Sequence, residues 1–225
     1  PLLKSKLLSL IIVWLILFVS MPFRMPPHVV VGVVGLISVF PAFAFALNCL
    51  GYDGDGLNSL FLFPAPRALI LLGKNVLALL MGVGGTTFGV IVAAVWLKQP
   101  AGVFVLLPFL WAFALVMVAG GNVVSVYFPM RAARRGENPF ARGMEQGCIS
   151  GLIRMLVFSI TLAASLPVAA GYVLPQLLHA HVLFGVTALL AIIYAIVVYS
   201  LVLPHAAEAL LRREPEILEV CTAAE

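Results

Sequence analysis

A run of aspartates and glycines, DGDG at Asp53–Gly56, offers oxygen atoms of the kind that bind calcium. A calcium loop of this type needs further oxygen ligands at alternate positions and a bidentate acid at its twelfth position. Counted from Asp53, the fifth position is Leu57 and the twelfth is Pro64. The sequence therefore predicts no calcium site in this stretch.

A second polar group, GKN at Gly73–Asn75, shares a Gly-Lys pair with phosphate-binding loops. That motif needs a glycine five residues before the second glycine and Ser or Thr after the lysine. Those positions hold Ala68 and Asn75, so we expect no ATP binding by this motif.

The remaining residue types that carry chemistry do not form a cluster in the sequence. The three cysteines (Cys49, Cys148 and Cys221) have no metal-ligand spacing, and His179 and His181 have no third ligand nearby. The sequence predicts no catalytic residue, no cofactor and no metal, and hence no enzyme.

The elements that surround these polar groups are almost wholly apolar. The chain has 225 residues, of which 63% are hydrophobic and 10% charged, whereas a soluble domain carries about 25% charged residues. We therefore expect an integral membrane protein with an all-α fold, since the apolar runs lack the alternation of a membrane barrel. Because the chain starts with Pro1, we also expect upstream sequence to be missing.

Six transmembrane helices are predicted, because each crossing needs about 20 apolar residues. The expected architecture is a six-helix bundle with a short cytoplasmic coupling helix, and residues 1–225 form one transmembrane domain. The first segment is the shortest and is followed by three prolines, so a re-entrant segment remains an alternative there. The spans are expected at about 7–23, 28–49, 75–97, 102–127, 151–173 and 181–203.

The distribution of lysine and arginine predicts the orientation. With both termini in the cytoplasm, eleven of the thirteen basic residues lie inside and only Arg24 and Lys98 lie outside. We expect a multi-pass protein of the plasma or inner membrane. The net charge of +4 then follows from topology and contact with anionic lipids, and it predicts no nucleic-acid partner.

The segment from Asp53 to Lys74 is predicted to leave the membrane on the cytoplasmic side. Its apolar run GLNSLFLF forms a short helix and is followed by a Pro-Ala-Pro elbow. Arg67 and Lys74 are seven residues apart and would share one helix face. The segment is either a lipid-interface helix with snorkelling cations or a docking element whose apolar residues, including Phe61, contact a cytoplasmic partner.

No charged residue lies near the centre of a predicted span. Ion-coupled carriers usually keep such groups despite their cost in the bilayer. If this chain moves a solute, we expect the driving force to come from another protein.

Two stretches carry a resemblance to a known family. NCLGYDGDGLNSLFLFPAPRALILLGKNVLALL, residues 48–80, resembles the loop between the second and third helices of ABC-2 type transporter permeases. GGNVVSVYFPMRAARRG, residues 120–136, is similar to the passage out of the fourth span of those permeases.

The resemblance implies that the chain is a permease subunit of an ATP-driven transporter. Most transporters of this family are exporters. A separate ABC ATPase subunit would hydrolyse ATP and bind the loop after the second span, while two permease halves would form a homodimer or pseudo-dimer. The matching positions, taken as ATPase-coupling residues together with Phe61, are Asp53, Asp55, Gly56, Arg67, Gly73, Lys74 and Asn75.

Other function classes remain open. A non-transporting membrane scaffold or assembly protein would fit the same composition. A membrane-embedded enzyme would need clustered acids, histidines or metal ligands inside the spans, and the sequence has none. The transported substrate is not indicated, because apolar walls suit lipids and drugs but are common to any helix bundle.

Overall fold

The computed structural model describes residues 27–54, 56–98, 100–130, 147–180 and 182–222. Within these ranges every regular element is a helix. A 3-10 turn at Gly51–Asp53 lies between the first two α-helices. The α-helices are α1 (Pro27–Ala46), α2 (Gly56–Leu62), α3 (Arg67–Trp96), α4 (Pro100–Tyr127), α5 (Gly147–Ala164), α6 (Leu166–Leu177) and α7 (Leu183–Thr222).

Five helical segments of the described residues are long and apolar enough to cross a bilayer. Helices α1, α3, α4 and α7 each form one segment, and α5 and α6 together form another across a break at Ser165. The expectation of an all-helical, multi-pass membrane protein is confirmed. The predicted first span at 7–23 lies outside the described residues, so the count of six stays a prediction.

Two helices extend beyond their predicted bounds. Helix α3 begins at Arg67 rather than near residue 75, because Pro66 precedes a run of strong helix formers and cannot itself continue a helix backwards. Helix α7 continues to Thr222 rather than ending near residue 203. Its later part is rich in Ala, Leu, Glu and Arg, which favour helix enough to carry it past Pro204 and Pro215.

Helix α4 lies at the centre of the bundle and packs against α1, α3 and α7. Small residues permit these close approaches. A Cβ atom added to Gly82 of α3 would lie 2.9 Å from Ala42 of α1 and 3.6 Å from Ala114 of α4. A Cβ atom added to Gly121 of α4 would lie only 2.5 Å from Ala46 of α1. Glycine at these contacts lets helix backbones meet, as is common in membrane proteins.

The connection after α1 packs against one end of this bundle, here called the α2 end. Leu57 and Phe61 of α2 enter a buried apolar cluster with Leu71 of α3 and Leu210 and Ile217 of α7. The second half of α7 therefore packs against the buried side of α2, and α2 is part of the folded bundle.

Candidate functional site

The loop that follows α1 is held against the end of α4 by polar contacts. The backbone N–H of Met130 donates to Asn48 Oδ1 at 2.9 Å, and the N–H of Leu50 donates to Ser125 Oγ at 3.2 Å. The Cys49 thiol also donates to Ser125 Oγ, and burial raises the pKa of this thiol. These contacts join two regions more than 70 residues apart in sequence.

Two backbone features shape the turn between α1 and α2. A Cβ atom on Gly51 would lie 1.8 Å from the carbonyl oxygen of Met130, so only glycine fits there. Gly54 has φ +51°, a conformation that L side chains rarely adopt. The glycines of this stretch thus serve a tight turn rather than a ligand.

Asp53 and Lys74 form an ion pair across the loop. Lys74 Nζ contacts Asp53 Oδ1, and their side chains are 21% and 23% exposed. The pair connects the end of the 3-10 turn to the second turn of α3. The ion pair ties the start of the α1–α2 loop to the first part of α3.

Arg67 holds the other end of the loop. Its Nε atom pairs with Glu214 of α7, and its Nη2 atom donates to the carbonyl oxygen of Phe61 at 3.0 Å. The guanidinium carbon lies 5.2 Å from the centre of the Phe61 ring, a cation–π contact. Arg67 therefore joins α2, α3 and α7 in one place.

The apolar residues of α2 divide into a buried side and an exposed tip. Phe61 is only 8% exposed, because it lies beneath Arg67 and against α7. Leu62 is 84% exposed and Phe63 is 66% exposed. The surface that a partner could contact is this tip, defined by Leu62 and Phe63.

The predicted coupling residues therefore do not form one surface. Gly56 begins α2, and Gly73 lies within α3 with no atom within 4 Å of a Cβ position. Asn75 is fully buried, and its Nδ2 donates to the Tyr199 hydroxyl at 2.8 Å. Asp55 lies outside the described residues.

Two partners of the predicted residues could not be identified from the sequence, namely Glu214 and Tyr199. Glu214 and Tyr199 are 147 and 124 residues from the side chains that they contact. Residue spacing within one helix or loop cannot predict contacts between residues so far apart in the sequence. The sequence holds one indication of the Glu214 contact, namely the helix-favouring composition after Pro204. It extends α7 so that Glu214 lies at the α2 end.

A shallow groove of about 300 Å³ lies beside this region, between the end of α4 and the last turns of α7. Arg213 lines it, donates to the carbonyl oxygen of Tyr127 at 2.8 Å and pairs with Glu216. Its guanidinium is thus already engaged within the chain. Among the residues that the structure describes, no group of three potential metal ligands occurs.

The chain matches no known family, and no curated protein or solved structure is similar to it. Among the described residues, the region around α2 contains no nucleophile paired with a base and no cluster of acids. The region presents a short helix flanked by two ion pairs, with Leu62 and Phe63 exposed, at one end of the helical bundle.

Proposed function

We propose that this chain is the membrane-spanning permease subunit of an ATP-driven ABC-2 type transporter, most simply an exporter. A separate ATPase subunit would bind the segment from Asp53 to Lys74, and a second permease half would complete the transport path. The chain would reside in the plasma or inner membrane with both termini in the cytoplasm. It would not hydrolyse ATP itself.

The observation that carries the proposal is the bracing of α2. The loop that contains this short helix is held by an ion pair on each side of it, Lys74–Asp53 and Arg67–Glu214, and it exposes Leu62 and Phe63 at the end of the helix. A docking element that transmits force must be fixed to the spans that it moves. A helix that only rests on lipid needs no such pair of ties.

The same geometry divides the roles of the coupling residues. Phe61 and Arg67 are engaged within the chain, so they would position the docking element rather than contact the ATPase. Direct contact would fall to Leu62 and Phe63. Interfaces usually depend on a few buried apolar anchors of this kind.

The first experiment measures how much ATPase, encoded beside this chain, co-purifies with it at equal membrane levels. We expect Leu62→Asp and Phe63→Asp each to reduce retention by about thirtyfold, because losing one anchor costs about 2 kcal/mol. Both residues are exposed, so the fold and the membrane insertion should persist.

Val182→Asp is the matched control, since Val182 is 89% exposed and lies at the opposite end of the bundle. It should retain the ATPase. A membrane scaffold, the competing function, predicts that no ATPase is bound in any form of the chain. Full retention by both tip variants would show that α2 is not the docking element.

The orientation can be tested with single added cysteines. We expect Leu62→Cys to resist an impermeant thiol reagent in intact cells and Val182→Cys to react, because the α2 end is proposed to be cytoplasmic. A Cys148→Ser background is suitable, since Cys49 and Cys221 are both buried. The raised pKa of Cys49 further lowers its thiolate fraction. The reverse labelling pattern would invert the proposed topology.

A further inference from the structure

Two buried asparagines, Asn75 of α3 and Asn122 of α4, leave hydrogen-bonding atoms unused. Both side chains are 0% exposed. Asn122 Oδ1, Asn122 Nδ2 and Asn75 Oδ1 have no hydrogen-bond partner among the described residues. Buried amide groups without partners are costly, and most so where lipid excludes water from the surroundings.

The packing register of α3 and α4 brings the two asparagines to one level. Gly82 opposes Ala114, Ala78 shares a buried cluster with Val118, and Leu71 shares another with Val126. The Gly82–Ala114 approach and the two shared clusters fit one antiparallel register, in which Asn75 lies opposite the turn of α4 that contains Asn122.

Tyr199 of α7 lies at the same level of the bundle as the two asparagines. Its ring packs on the cluster of Ala46, Ala78 and Val118, and its hydroxyl oxygen accepts a hydrogen bond from Asn75 Nδ2. The hydroxyl proton can therefore be donated elsewhere. Together the three side chains present two carbonyl acceptors, one amide donor and one hydroxyl donor between three spans.

We propose that Asn75, Asn122 and Tyr199 form a binding site for ordered water inside the bundle. Water both donates and accepts, so it can satisfy donors and acceptors that face one another. Buried waters in proteins typically have two to four polar partners, which is what this set supplies. A cation is disfavoured because no carboxylate belongs to the set.

The position of the site supports water as its ligand. Asn75 directly follows Lys74, whose ammonium group pairs with Asp53 at the α2 end. The three side chains thus lie just inside the polar edge of the bundle, about one helical turn from groups that contact the aqueous phase. Water can reach this level without crossing the apolar centre.

The test is brief X-ray radiolysis of the intact chain in lipid, in heavy-oxygen water, with mass spectrometry of each tyrosine. Radicals form from bound water and oxidise the side chains beside it. We expect Tyr199 to incorporate heavy oxygen faster than Tyr194. Tyr194 is a matched control on the same helix, because its hydroxyl donates to the carbonyl oxygen of Ala164 at 2.7 Å.

Two variants at position 122 sharpen the result. Asn122→Leu should abolish the fast labelling of Tyr199, leave Tyr194 unchanged and lower the unfolding midpoint. Asn122→Ser keeps a donor and an acceptor and should retain the fast labelling. The proposal is overturned if Tyr199 reacts no faster than Tyr194 in the native chain, as a direct bond between the asparagines predicts. It is also overturned if Asn122→Leu leaves Tyr199 labelling intact or raises the unfolding midpoint. If Asn122→Leu does not fold, the comparison within the native chain decides.

Discussion

Reversing Arg67 to glutamate is expected to lower the midpoint of thermal unfolding by roughly 5–10 °C. The substitution places a carboxylate against Glu214 and removes the donor to the Phe61 carbonyl oxygen. Breaking a fully buried ion pair costs about 3–5 kcal/mol. This pair is 14% and 21% exposed, so about 2–3 kcal/mol is the expected loss, at about 2–4 °C per kcal/mol for a chain of this size.

The charge-swapped double variant, Arg67→Glu with Glu214→Arg, should recover part of that midpoint. Recovery should be incomplete because the carbonyl contacts of Arg67 are not restored. The measurement is thermal unfolding of each variant in the same detergent.

Arg212→Glu is the control for the charge reversal. Arg212 lies on the same helix as Glu214 but is 80% exposed and pairs loosely with Glu208 at 3.7 Å. Such surface pairs contribute about 0–1 kcal/mol. Equal effects of Arg67→Glu and Arg212→Glu would mean that the Arg67–Glu214 contact does not brace α2.

Gly51→Ala is expected to have a larger effect, namely loss of most folded protein from the membrane. The new Cβ atom would lie 1.8 Å from the carbonyl oxygen of Met130 and 2.5 Å from Asn48 Oδ1. The first of these is a backbone atom and cannot move aside by a rotamer change. Relief would require separating the α1–α2 loop from the end of α4.

Gly73→Ala provides the matched comparison in the same stretch. Gly73 is inside α3 with no atom within 4 Å of its Cβ position, and alanine favours a helix over glycine by about 0.5–1 kcal/mol. Its unfolding midpoint should rise slightly. Size-exclusion profiles and unfolding midpoints check both variants, and a native-like Gly51→Ala would contradict the close approach of the two loops.

The transmembrane character of the chain could be predicted from the sequence because it depends on long apolar runs, which are local. The bounds of α3 and α7 could not, since hydropathy reports where a helix enters lipid and not where the helix itself begins or ends. Arg67 and Lys74 lie within α3 although they precede the predicted span.

The bracing of α2 was beyond sequence reasoning for a different reason. Arg67 is apparent in the sequence as a cation beside the Pro-Ala-Pro elbow, but its partner Glu214 lies 147 residues further along the chain. The sequence alone does not distinguish Phe61 from Phe63, since both are phenylalanines of the same short apolar run. Only the three-dimensional contact with α7 distinguishes the buried Phe61 from the exposed Phe63.

The length of α7 has a mechanical consequence. Its 40 residues correspond to about 60 Å along the helix, twice the thickness of about 30 Å that a bilayer crossing requires. The half beyond the crossing shares a buried cluster with α2 through Leu210 and Ile217, and it pairs with the start of α3 through Glu214. A tilt of about 10° around the Leu183 end would move the far end by about 10 Å. A small change in the tilt of α7 within the bundle therefore becomes a displacement of about one helix width at its far end.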